Sequence, residues 1–242
     1  MAFRFLRDFL GDVRASVAVR RNRTMPRSAC LVTIIITFAV TYIAAAVVLV
    51  PSGNVPEFNF VNERGAVTVL SAILLAVGSG FAFVSFLISP DAAGRHRVFW
   101  LMMTVVIGYL AMDELLEFHE LFGDRLDRVE TLRLFIDQTP IRRWNDAIII
   151  LYGVLALPAA VFFLPSVIRF PKVLEYLCLA CFFYVTHTAI DSVVEPPTTL
   201  SVILEESAKL FCSTFIAIAL LVGLLGNIKT ITSSSSVGES NA

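Results

Sequence analysis

Three short segments of this chain hold the residue types best suited to chemistry. They are DELLEFHE (Asp113–Glu120), HTAIDSVVE (His187–Glu195) and EESAK (Glu205–Lys209). On a helix Asp113, Glu117 and Glu120 fall at i, i+4 and i+7 and share one face. Glu114 then points to a neighbouring helix, and His119 points away from that face. His187 with Asp191, and Glu205 with Lys209, are i, i+4 pairs. Carboxylates and imidazoles projecting inward from facing helices are how bundles hold iron, zinc or manganese. The expected ligands of such a divalent metal are Asp113, Glu117, His119, Glu120, His187, Asp191 and Glu205. Glu205 doubles as a candidate general base, with Lys209 as its electrostatic partner.

The metal signal is one of composition. Leu116 and Tyr184 stand three residues before His119 and His187, so the ExxH pair of di-iron bundles is missing, as is HExxH. A heme between His119 and His187 fits poorly, because His119 lies close to the outer interface. Two metal-free readings compete. One is a hydrogen-bonded carboxylate network doing acid–base work or carrying protons. The other is a set of helix-end polar groups satisfied by each other, by caps and by water.

Long apolar helices must position these groups. The 242 residues are 57% hydrophobic, above the roughly 45–50% of soluble proteins. The expected spans are Ala29–Val50, Ala66–Ser89, Val98–Leu116, Ala147–Ile168, Val173–Asp191 and Val202–Leu225. Each is near the ~20 residues a helix needs to cross the hydrocarbon. Residues 1–28 form a basic amphipathic segment, 29–226 the membrane domain and 227–242 a disordered tail rich in serine. The outer loop, 117–146, reads as partly helical, with solvated charges on a surface lid and Trp144 as an interfacial anchor beside Asp146. The expected fold class is all-α: a six-transmembrane helical bundle with an N-terminal amphipathic interfacial helix.

With the N-terminus inside, twelve of nineteen basic residues fall on the cytoplasmic side, as the positive-inside rule requires. Fifteen of twenty acidic residues then fall on the outer side. That places both termini in the cytoplasm and the protein, multi-pass, in a cell inner membrane. His96, in PDAAGRHR, reads as solvated loop, and Gly78, Gly80 and Ser85 as close-packing residues. The four cysteines, including the C178-x-x-C181 pair, lie in apolar stretches and read as packing residues rather than a disulfide framework.

DELLEFHE resembles a DE…HE signature that recurs in uncharacterised bacterial polytopic membrane proteins, where it similarly follows an apolar span. The resemblance implies a membrane-embedded site and no particular activity. Ceramidase-like membrane hydrolases combine three histidines around zinc; only two suitable ones occur here. Membrane desaturases need many more histidines than the three present. The functional expectation is a carboxylate/His site at the outer face that binds a divalent metal and hydrolyses or oxidises a lipid-soluble or periplasmic substrate. Its expected partners are the lipid bilayer and other membrane subunits or a second copy of itself, with no nucleic acid. The alternatives are a non-catalytic accessory subunit of a larger membrane complex and a proton-coupled transporter.

Overall fold

The computed structural model describes residues 7, 9–14, 26–49, 65–89, 94–139, 141, 143–170, 172–194 and 198–239. Among them the chain is all-α. Helix α1 spans Pro26–Leu49, α2 Ala66–Ile88, α3 Arg95–Leu116, α4 Phe118–Asp127, α5 Glu130–Ile136, α6 Trp144–Ile168, α7 Val173–Val193 and α8 Thr199–Glu239. Six of these, all but α4 and α5, are long and apolar enough to cross a bilayer, which makes this a multi-pass membrane protein. Helices are forced here, since backbone groups in hydrocarbon must be satisfied within their own segment.

The centre of the bundle is α8, packed on α2 and α7 and, less extensively, on α1. Its buried face runs through Glu206, Leu210, Ser213, Ala217, Leu220 and Leu224, close to the three-to-four-residue spacing of one helix face. Small residues let the backbones approach. A Cβ on Gly78 would meet Leu220 at 3.3 Å, whereas one on Gly80 would meet nothing within 4 Å, so only Gly78 is a packing glycine. At the opposite extreme, α6 buries little of its spanning length and turns Leu151, Val154, Leu155 and Leu157 outward, where lipid must cover them. It runs unbroken through Pro158 and Pro165.

The end of the bundle that carries the chain termini departs from expectation at His96. The residue is not in a solvated loop but in the first turn of α3, and only 6% exposed. Trp100 Nε1 donates to its Nε2 at 3.0 Å, Asn227 Oδ1 lies 3.3 Å away, and the Phe170 ring covers it. The reason is tertiary. Trp100 is fully buried against Gly223, and its indole N–H needs an acceptor that α8 and α3 must supply internally. The chain beyond 226 also differs from the expected disordered tail, because α8 continues as helix to Glu239. Once started, a helix gains a bond for each residue fixed, and the Thr230 hydroxyl adds one to the Gly226 carbonyl at 2.9 Å.

Of the basic N-terminal segment, residues 9–14 are helical, and Asp12 pairs with Arg95 at 2.8 Å; most of the rest lies outside the described residues. So do Glu57, Glu63, Arg64, Arg142 and Glu195. The cysteines are all free, with Cys212 buried and Cys178 and Cys181 on the exposed face of α7 rather than packed within the bundle. That face meets lipid, where a thiol is tolerated as a small apolar group.

The packing of Gly223 generates a prediction. Adding a Cβ there would overlap the Trp100 ring, so Gly223→Ala should lower stability by about 1–3 kcal/mol, as overpacking does. Gly80→Ala, with open space around it, should leave the melting temperature in detergent unchanged or raise it. Equal melting temperatures for the two variants would refute this account of the core.

Candidate acid–base site

The site is built where α3 ends. The helix stops at Glu117, which adopts a left-handed conformation (φ 54°, ψ 41°) while its N–H still reaches the Asp113 carbonyl at 2.8 Å. For a residue other than glycine this corner is uncommon and worth a reason. Its effect is to break the helical face expected to hold Asp113, Glu117 and Glu120 together. The chain turns into α4, and His119 folds back over Asp113. The His119 backbone N–H donates to Asp113 Oδ1 at 2.9 Å, and its Nδ1 lies 3.0 Å from Oδ2. The expectation that His119 points away is therefore corrected by the corner at Glu117.

Asp113 is 5% exposed, and both of its oxygens are committed to His119, Oδ1 to the backbone N–H and Oδ2 to the ring, in a nearly dry setting. His119 Nε2, the ring nitrogen turned away from Asp113, has Glu120 Oε1 at 3.9 Å. Burial alone would pull the proton affinity of His119 down. The hydrogen bond and charge of Asp113, joined by the charges of Glu120 and Glu114, outweigh it and hold the pKa above the ordinary 6.5.

One helix away, α8 presents a cation to the same end. Lys209 Nζ lies 2.8 Å from Glu206 on its own helix and 3.6 Å from Glu114 on α3. Thr68 of α2 donates to Glu206 at 3.4 Å, so three helices meet at one charge cluster. Glu206, 3% exposed, was not singled out in the sequence as a site residue; its i, i+3 spacing from Lys209 was the available signal. Glu205 is half-buried and adds its charge to the Lys209 environment.

The remaining expected residues sit around this core. His187 on α7 stands edge-on to Tyr184 at 5.3 Å and lies within electrostatic reach of Lys209 and His119. Asp191 is one turn further along α7 and half-buried. Trp144 opens α6 and anchors the outer loop, its indole donating to Leu132 at 3.0 Å while stacking on Phe135. Tyr109 and Tyr152, which sequence reasoning passed over, join hydroxyls at 2.9 Å across α3 and α6. Among the described residues no group of three or more His, Cys, Asp or Glu is arranged to hold a metal ion. What the geometry offers is an Asp–His dyad beside a neutralised lysine.

Two predictions come from this arrangement. Lys209→Met should cost about 3–5 kcal/mol, because it leaves the buried Glu206 uncompensated, and adding Glu206→Gln should recover most of the loss. Thermal unfolding of both variants tests it; an additive double variant would refute the pairing. For His119 the sign is that of a raised pKa. Its stabilisation is fully present below pH 6.5 and fades as the pH rises through the higher folded value. Asp113→Asn should weaken that dependence and lower the pKa of His119, since burial then meets less opposition, read by NMR of labelled histidine against a His119→Gln assignment.

Neither curated proteins nor solved structures give a match to this chain. A family model does, over residues 29–223, which takes in five complete spans and most of the sixth. The chain belongs to the family described as Domain of unknown function (DUF8692).

Proposed function

We propose that this membrane protein carries an acid–base site at the outer end of its bundle and uses it for hydrolytic chemistry on a lipid-soluble or outer aqueous substrate. The observation that carries the reading is the buried Asp113 holding His119 through two contacts, 2.9 and 3.0 Å, with the imidazole side chain 17% exposed. A carboxylate in that position fixes the imidazole tautomer and supports its protonated form. In a hydrolytic step His119 would take a proton from the attacking water at Nε2. The water oxygen bonds to the acyl carbon as the ester bond breaks, and the proton returns to the leaving oxygen. Glu114, Glu206 and Lys209 form the charge-balanced wall behind it.

The burial of Asp113, Asp146 and Glu206 favours this reading over an accessory subunit, whose acids would face outward towards a partner. The transporter reading is disfavoured by the middle of the α2/α3/α8 interface, where Leu75, Ala82, Ile107, Ile218 and Leu220 are buried side by side. The basic N-terminus and the excess of arginine and lysine on the termini side favour a cytoplasmic location for both ends, in an inner membrane. A second reading rests on the same dyad. Carboxylates orient metal-binding imidazoles in this way, so a divalent ion on His119 Nε2 with Glu120 is its alternative use.

The test is release of fatty acid from short-chain nitrophenyl esters and from diacylglycerols by the purified full-length protein. His119→Gln should lower the rate about 10²–10⁴-fold, the usual weight of a general acid–base group. The wild-type rate should rise with pH through the raised His119 pKa, since the free base is the active form. A rate unchanged in His119→Gln, or no release from any ester, would overturn the proposal. Elemental analysis of the same preparations, with Asp113→Ala and His187→Ala alongside, separates the metal reading.

A further inference from the structure

The acid–base reading leaves one polar pair unused. Tyr109 lies on a face of α3 whose other members, Val105, Met112 and Leu116, are all exposed large hydrophobics, so this face meets lipid. Tyr109 itself is 41% exposed and is the one polar member of that stripe. Its hydroxyl meets that of Tyr152 at 2.9 Å, bridging α3 and α6, which otherwise touch sparingly.

Interfacial tyrosines normally turn their hydroxyls to headgroup water. Here the way out is roofed. Phe118, the first residue of α4, stacks on the Tyr109 ring with centroids 6.3 Å apart. The roof lies on the side of the outer water, and Met112 and Leu151, on the helices that carry the two tyrosines, are both exposed to the bilayer. By helix rise, Tyr109 lies about 6 Å deeper than Asp113, and Tyr152 about 9 Å deeper than Asp146. Two hydroxyls held at that depth can satisfy each other only in part. Each hydroxyl has one hydrogen to give and two lone pairs to offer, so the pair retains a donor and acceptors for a third group.

We infer that the Tyr109–Tyr152 pair is the head-group seat for a neutral amphiphile that enters sideways from the bilayer between α3 and α6. Its head carries a hydroxyl or an ester carbonyl, the groups that answer a phenol pair. The charge of the surroundings excludes an anionic head. The carboxylate that reaches the pair is Asp113, one turn above Tyr109 and close enough for its charge to act on Tyr152. The same placement sets an occupant's head against the Asp113–His119 dyad. In that respect the inference rests on the acid–base reading, naming its substrate class, while binding itself does not require the chemistry.

The experiment is photo-crosslinking of the full-length protein in phosphatidylcholine nanodiscs. The probes are a diacylglycerol with a photoactivatable group in one acyl chain and a phosphatidic acid with identical chains. Diacylglycerol should label α3 and α6 around Tyr109 and Tyr152 above phosphatidic acid, and unlabelled dioleoylglycerol should compete. Tyr109→Phe and Tyr152→Phe should each lower capture about fivefold, one hydrogen bond apiece. Even labelling of every lipid-facing helix by both probes would overturn the inference, and this comparison needs no variant to fold. Undiminished capture in both Phe variants would overturn it too. Capture that persists in His119→Gln, together with absent hydrolysis, would sink the acid–base reading and leave the lipid seat standing.

Discussion

The structure turns on the neutralisation of one ammonium. Lys209 stands in the outer third of a helix that is otherwise buried, where an unpaired charge would cost several kcal/mol after relaxation. Its neutralisation needs Glu206 from the next turn of α8 and Glu114 from α3, with Thr68 of α2 completing the hydrogen bonding of Glu206. Those requirements fix the relative height of α2, α3 and α8. Below them the Ser71–Ser213 hydroxyl pair, at 2.6 Å, and the close approach at Gly78 repeat the same register. The position of Asp113, one residue from Glu114, follows from that register, and the dyad with His119 follows from Asp113.

The bundle is unevenly built around this core. Helices α2, α3, α7 and α8 pack as a unit, whereas α6 is attached mainly through α4 and the outer loop. At the head of α6 Trp144 is tied to the Leu132 carbonyl and Asp146 is buried, and the length below Tyr152 is given over to lipid contact. Tyr184, whose hydroxyl donates to the Ile149 carbonyl beside Gly153, is a main link between α6 and α7.

Much of the fold was legible from hydropathy, because membrane spans are long and obey one solvation rule. The five spans from Ala66 onward and the lid helices over 118–136 fall close to where composition puts them. The site was legible only as a neighbourhood. Which atoms meet inside it depends on the left-handed corner at Glu117, and helical periodicity cannot register a break that no glycine or proline announces. His96 failed for a related reason: its loop-like sequence context says nothing of Trp100, whose burial against Gly223 creates the demand for an acceptor. Glu206 was hidden behind Glu205, since adjacent residues on a helix differ in facing by about 100° and only packing tells which one turns inward.

The apolar middle of the α2/α3/α8 interface has an electrical consequence. With Leu75, Ala82, Ile218 and Leu220 filling it, the two polar ends of the protein are separated by an insulator. Within that zone the Ser79 hydroxyl bonds to the Thr104 carbonyl at 2.8 Å. The membrane voltage therefore drops across the core rather than across the dyad. The dyad and the buried His96 thus lie on opposite sides of that apolar layer.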